Sequence, residues 1–272
     1  YFAIHDGDGD FNGAIGYVLI NPENRLPKLL PSGGMLFTSG KLRNSPAFGF
    51  VEVYPMEKCY FASDSAACTI AIGQEHKSSI TIEGKNYLLS GATSAMSWNL
   101  MIIPQMPGFP VEKGDDVGLL PFEVWYVNLQ MPGFSVTGTV NVNGKTIPID
   151  GKGYYETAYG KWNFAIGGWD FVSFYDPSDK NGNPFFFGMQ SYHYLSKDID
   201  FVVVDFVDKD GPHRIKFPKS QLVWSHKWRW DSTANAFVPN STHIVALNSQ
   251  YKFVVDVEFN DHYVMLYEEK PI

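Results

Sequence analysis

The sequence predicts an all-β protein, built as two consecutive barrel-like or sandwich-like units around an aromatic-lined pocket. Three observations carry that expectation. Aromatic residues make up 16% of the 272-residue chain, and 25 Gly and 17 Pro punctuate it every few residues. Such a mixture suits short pleated strands and tight turns. No segment keeps a 3.6-residue apolar period over three turns, so helix content should be small.

The chain opens at Tyr1 in what reads as a strand, and Ala14–Ile20, Ala47–Tyr54 and the Ser-Ser-Ile-Thr-Ile run at 78–82 follow. Gly84 then marks a hairpin into Tyr87–Ser90. Further strands read as Trp98–Ile103, Phe122–Leu129 and Ser135–Val142. Asn143-Gly144 is the strongest turn signal, because both residues tolerate positive φ, and it joins Gly138–Val142 to Lys145–Asp150. Beyond it lie Trp169–Tyr175, Phe185–Tyr194, Phe201–Val207, Arg214–Phe217, Leu222–Trp230, Thr242–Leu247, Lys252–Phe259 and Tyr263–Glu268. Gln-Met-Pro-Gly-Phe occurs at 105–109 and 130–134, each copy after a Trp-led strand, and reads as a pair of equivalent corners. The Gly151-Lys-Gly153 step reads as the end of the Asn-Gly hairpin, dividing an N-terminal β domain (1–150) from a C-terminal lipocalin-like one (151–272).

Several function classes drop out. The net charge is −8 with no Lys/Arg run, so no nucleic-acid backbone is an expected partner. No apolar stretch approaches the ~18 residues of a membrane span. The seven His form no HxxxH grouping and there is no CxxC, so no metal is expected. Asp6-Gly-Asp-Gly-Asp10 starts like a calcium loop, but Phe11 and Tyr17 stand where Gly and a carboxylate are needed; it reads as a polar hairpin turn. A hairpin turning at Ser63-Asp64 would set Cys59 opposite Cys68, as a cross-strand disulfide or as two buried thiols. With the sequon Asn240-Ser241-Thr242, this leaves localisation open between cytoplasm and secretion.

The residues with chemical promise cluster after Gly153. Glu156 stands among Tyr154, Tyr155, Tyr159 and Trp162, with Trp169 following. Rings strip water from a carboxyl group, which favours its protonated form and lets it donate a proton near neutral pH. The plainer reading pairs Glu156 with Lys152 or Lys161 on an edge strand. In Leu222–Trp230, Trp224, His226, Trp228 and Trp230 share one face and Ser225, Lys227 and Arg229 the other. Either His226 lines a ring-walled interior, or the face packs on a neighbouring sheet and His226 is hydrogen-bonded there. Tyr192, on Phe185–Tyr194, offers a hydroxyl to either arrangement. Asp205 has apolar Val203 and Val207 on its own face, so a Lys or Arg on the next strand should pair with it.

The order Asn143-Gly144, Gly153-Tyr154, Glu156, Tyr159-Gly160 and Gly168-Trp169 resembles the lipocalin-like hydratase and cyclase superfamily. That group includes carotenoid 1,2-hydratase, kievitone hydratase, tocopherol cyclase and the fungal decalin-forming Diels–Alderases. The likeness is clearest over 135–175, and Tyr159 stands where Trp is usual. It implies two calycin-like units and cofactor-free chemistry on a hydrophobic isoprenoid or polyketide-type molecule. It also implies Glu156 as the acid. Tyr155, Tyr159, Trp162 and Trp169 would shape the pocket and Trp224 would bind substrate, with His226 or Tyr192 at the substrate's polar end. The other readings are a carrier of a hydrophobic ligand and a sugar-binding β-sandwich with exposed Trp faces. Oligomeric state is not legible.

Overall fold

The computed structural model describes residues 1–20, 32–62, 69–72, 78–107, 115–116, 124–161, 167–178, 182–194, 197–232 and 235–259. Among them are strands, turns and two single 3-10 turns at Met56–Lys58 and Lys219–Gln221, and no α-helix. The chain divides into two compact units. The first takes Tyr1–Pro107 and Gly133–Glu156, and the second takes Gly108–Pro132 and Thr157–Val264.

The largest sheet is curled and antiparallel, with twelve strands. In chain order its strands are β1 (Phe2–Asp6), β2 (Phe11–Ile20), β3 (Gly33–Leu42), β4 (Ala47–Pro55), β5 (Cys59–Ala62), β6 (Thr69–Ile72), β7 (Ser78–Glu83), β8 (Asn86–Ala92) and β9 (Met96–Pro104). The two-residue β10 (Asp115–Asp116) and the long β11 (Val124–Val142) and β12 (Lys145–Lys161) complete it. The order across the sheet is β4-β3-β2-β1-β12-β11-β9-β8-β7-β6-β5, with β10 on β11. Alternation sets the inner face: Met96, Trp98, Leu100 and Ile102 are buried, while Ser97, Asn99 and Met101 between them are exposed. Phe2, Phe11 and Phe134 are fully buried beside Leu36, Leu89 and Leu100. The curl brings distant strands together. Tyr17 Oη donates to the Ser79 carbonyl at 3.3 Å, and the Thr38 and Thr93 hydroxyls are 3.1 Å apart.

The second unit contains two sheets. One holds β13 (Gly167–Asp176), β14 (Phe185–Tyr194), β15 (Lys197–Asp208) and β16 (Gly211–Pro218) in that order. The other holds β17 (Leu222–Asp231), β18 (Ala236–Leu247) and β19 (Lys252–Glu258). Phe187, Met189, Val202, Val204 and Phe217 of the first meet Ile244 and Ala246 of the second in a buried core. The protein is therefore all-β, as the composition predicts.

Several turn readings hold. Asn143 (φ 52°) and Gly144 (φ 80°) make the β11–β12 turn, with the Gly144 N–H on Asn141 Oδ1 at 3.1 Å. Gly84 (φ 63°) turns β7 into β8. The acidic segment is the β1–β2 turn, with Asp6 Oδ2 accepting from the Asp10 N–H at 3.2 Å.

Other readings are corrected. Gly151–Gly153 does not end the hairpin: β12 runs on to Lys161. The second Gln-Met-Pro-Gly-Phe copy is no corner but lies within β11. There it meets the first copy, the Gly133 carbonyl accepting from the N–H groups of Gln105 and Met106 at 2.9 and 3.2 Å. The β5–β6 ladder pairs Cys59 with Ile72, not with Cys68, in a register that sets Ala62 against Thr69. Cys59 is a free thiol whose Sγ contacts the Pro55 carbonyl at 3.6 Å. Cys68 lies outside the described residues, as does the predicted strand Tyr263–Glu268.

The glycines of β12 are there for contact. A Cβ on Gly153 would collide with the Ala3 carbonyl oxygen and the Phe134 ring. Gly153→Ala is expected to destabilise the first unit by about 1–3 kcal/mol, as overpacking does. Urea unfolding checks this, and an unchanged midpoint would mean that β1 and β12 can separate without cost.

Candidate functional site

Glu156 is 6% exposed, with Tyr154 buried beside it on the same face of β12. The β1–β12 ladder explains the company it keeps. Phe2 pairs with Tyr155, and one step further the Tyr1 nitrogen donates to the Glu156 carbonyl at 2.7 Å. The Glu156 N–H returns a bond to the Tyr1 carbonyl at 3.1 Å. Tyr1 and Glu156 are thus a directly opposed pair, and opposed residues on antiparallel strands send their side chains to one face.

Two phenols consequently meet the carboxyl-bearing residue. The Tyr1 and Tyr154 hydroxyl oxygens are 2.6 Å apart, and their rings meet edge-on at 5.9 Å, with Phe37 packed against Tyr1 at 6.2 Å. Burial, then the negative charge of Glu156, then Tyr154 hold the Tyr1 phenol well above the usual phenol range. The Tyr1 hydroxyl therefore keeps its proton at neutral pH. One donates to the other, which leaves the second proton for another acceptor. A carboxyl group beside this phenol pair can pass a proton to an alkene or hold a carbonyl oxygen by hydrogen bonds.

Alternation separates Tyr155 from this group. Its ring stacks on Phe2 at 4.2 Å and lies 6.0 Å from Tyr87, inside the first sheet. Tyr155 and Glu156, named together from the sequence, therefore face opposite sides of β12. Tyr154 was named beside Glu156 without a role, and Tyr1 was given none. Tyr154 was legible from the period of two, whereas Tyr1 is 155 residues away and no local signal announces it.

Trp224 and His226 belong to the second unit. Trp224 packs against the core between the two sheets. His226 Nδ1 lies 2.8 Å from Thr242 Oγ1, with the Trp224 and Trp228 rings at 5.7 and 5.1 Å. Of the two readings of this strand, the packed and hydrogen-bonded one matches the geometry here. The expectation of a wholly buried aromatic face is overturned: Trp228 is 56% and Trp230 54% exposed. The core takes in Leu222 and Trp224 only, and the ladder shifts register between Lys227 and Trp228. The register pairs Trp169 with Tyr192, but the side chains of Tyr159, Trp169 and Tyr192, and all of Trp162, lie outside the described residues.

Two buried acids in the same unit have partners. Asp205, fully buried, takes a two-pronged bond from Arg214, with Nε and Nη2 at 2.7 and 2.8 Å; this is the neighbouring-strand cation expected of it. Asp200 accepts from the buried Ser191 hydroxyl and pairs with Lys219 Nζ at 3.0 Å. No group of three or more His, Cys, Asp or Glu able to hold a metal occurs among the described residues.

No family model matches the sequence, and no curated protein matches it. Solved structures do match the fold. Kievitone hydratase from Nectria haematococca superposes with a TM-score of 0.57 at 11% identity, over 93% of this chain and 73% of that one. A candidate AttH protein from Nitrosomonas europaea gives 0.56 at 12% identity, over 89% and 74%. Identity this low speaks for architecture alone. The chain has the lipocalin-like fold found in kievitone hydratase and AttH.

Proposed function

We propose that this protein is a cyclase or hydratase that acts on a hydrophobic isoprenoid- or polyketide-type molecule, with Glu156 as its acid. The observation that supports this is the buried Glu156 set against the Tyr1–Tyr154 phenol pair, in a fold shared with a hydratase. Glu156 delivers a proton to an alkene or a hydrogen bond to a carbonyl. Tyr154 and Tyr1 hold the carboxyl in place and stabilise its conjugate base when the proton leaves. Tyr159, Trp162, Trp169 and Tyr192 are assigned to substrate binding, because aromatic faces stabilise developing positive charge. Trp224 and His226 enter this reading only as supports for the second sheet pair.

Isotope incorporation separates the chemistries. Purified protein is incubated with a panel of polyprenyl and polyene substrates in D2O and, separately, in H2(18)O. A hydratase places both labels in product, and a protonation-driven cyclase places deuterium alone. A pericyclic enzyme yields unlabelled isomer. Binding without any product across the panel would instead establish the carrier.

A further inference from the structure

The sequon Asn240-Ser241-Thr242 takes no part in the chemistry assigned to Glu156. It is the sole Asn-X-Ser/Thr run in the 272 residues, with Ser at its centre, where Pro would block it, and Thr in third place. It lies in β18 at the point where strand pairing slips. Lys227 pairs with Ser241 and Trp228 with Pro239, so Asn240 is the extra residue of a β-bulge and has no partner on β17. Its carbonyl accepts from the Phe259 N–H at 3.0 Å, which holds the backbone there. The residue is exposed, and no hydrogen bond ties its carboxamide among the described residues.

We propose that Asn240 carries an N-linked glycan that covers the exposed rings beside it. The donor is a polyprenyl-diphosphate-linked oligosaccharide, as in secretory compartments. Asn240 Nδ2 bonds to C1 of its first N-acetylglucosamine as the C1–O bond to the diphosphate breaks. The diphosphate leaves with the electron pair, and Nδ2 gives up one proton. A bulge residue suits this change, because a bulky polar group on its free carboxamide disturbs neither the β17–β18 nor the β18–β19 ladder. Thr242 sets the order of events. Its buried Oγ1 lies 2.8 Å from His226 Nδ1, on the face of the sheet that carries Trp224. The transferring enzyme must reach that hydroxyl, so transfer precedes closure of the β17–β18 hairpin. The neighbours then profit from the sugar. Trp228, opposed to Pro239, is more than half exposed, as are Trp230 and Phe237, whose rings meet edge-on at 5.2 Å. Sugars rooted one residue beyond Pro239 are within reach of these rings, and the C–H face of a pyranose packs against an aromatic face. The proposal does not depend on the role of Glu156.

Protein purified from its own organism tests this by digestion with peptide N-glycosidase in H2(18)O. Release of a glycan turns Asn240 into an 18O-labelled Asp, which mass spectrometry of the peptide locates, and the intact protein moves down the gel. Secreted from a eukaryotic host, Asn240→Gln should lose the whole glycosidase-sensitive shift while keeping its far-UV spectrum, because only an exposed side chain changes. Thr242→Ala should lose it as well, with Asn240 itself intact. Removing the glycan from the native protein should shift tryptophan emission to the red and increase its quenching by acrylamide. Unmodified Asn240 in the native protein, or a glycosidase-sensitive shift that survives Asn240→Gln, overturns the proposal. Emission and quenching unchanged on release would overturn the covering of the rings.

Discussion

Glu156→Gln is expected to lower turnover by about 10²- to 10⁴-fold while ligand affinity changes little. Glutamine keeps the size and a hydrogen-bonding head, so the Tyr1–Tyr154 pair and the β1–β12 ladder should survive. What glutamine lacks is an acidic proton. A loss of that size corresponds to roughly 3–5 kcal/mol of barrier, and only proton-dependent steps suffer it. Affinity is read from quenching of tryptophan emission and product by chromatography, for both proteins side by side. Equal turnover would remove Glu156 from the chemistry and favour pericyclic catalysis, in which pocket shape is the main contribution. Tyr154→Phe is the companion variant: loss of one phenol from the pair should cost less than loss of the carboxyl.

The second large effect concerns stability. Asp205→Ala would leave the Arg214 guanidinium, only 11% exposed, without its carboxylate. Breaking a buried pair in this way costs about 3–5 kcal/mol, because a charge stays buried without compensation. Removing both charges together, as in Asp205→Leu/Arg214→Met, should recover most of that loss, since two well-packed apolar groups replace two desolvated ions. Urea unfolding of the single and double variants gives the comparison. If Asp205→Ala shifted the transition by less than about 1 kcal/mol, the guanidinium would have to reach water, and the pair would count as a surface one.

What the sequence made legible follows the range of the forces involved. Asn143-Gly144 needs only its own two residues to turn, and it turns as read. Asp205 was readable because a carboxylate among valines has few options, and Arg214 on the adjacent strand is the ordinary one. Strand β3 was invisible because Gly33, Gly34 and Gly40 give it a turn-like composition. They are there because other groups press on the backbone: Gly40 sits under the Phe11 and Phe48 rings, and Gly34 under Cys59 and Ile72. The same holds at the site. Burial of Glu156 among rings was a local inference, but its partner Tyr1 arrives through strand pairing. The exposure of Trp228 escaped period analysis because alternation fixes a face and says nothing about whether another sheet covers it.

The pairing of Tyr1 with Glu156 has a kinetic side. The two residues are 155 positions apart, so β1 has no permanent neighbour on one edge until β12 exists. At about 5–20 residues per second, a ribosome takes roughly 8–30 s to travel that distance. Through this interval the β1–β2 hairpin must wait with an unpaired edge, a state open to wrong partners. Closing so long a loop is also the slow kind of folding step. In refolding from urea, β-sheet signal should therefore return well before the Tyr1–Tyr154–Glu156 cluster assembles, and recovery of activity should lag behind it.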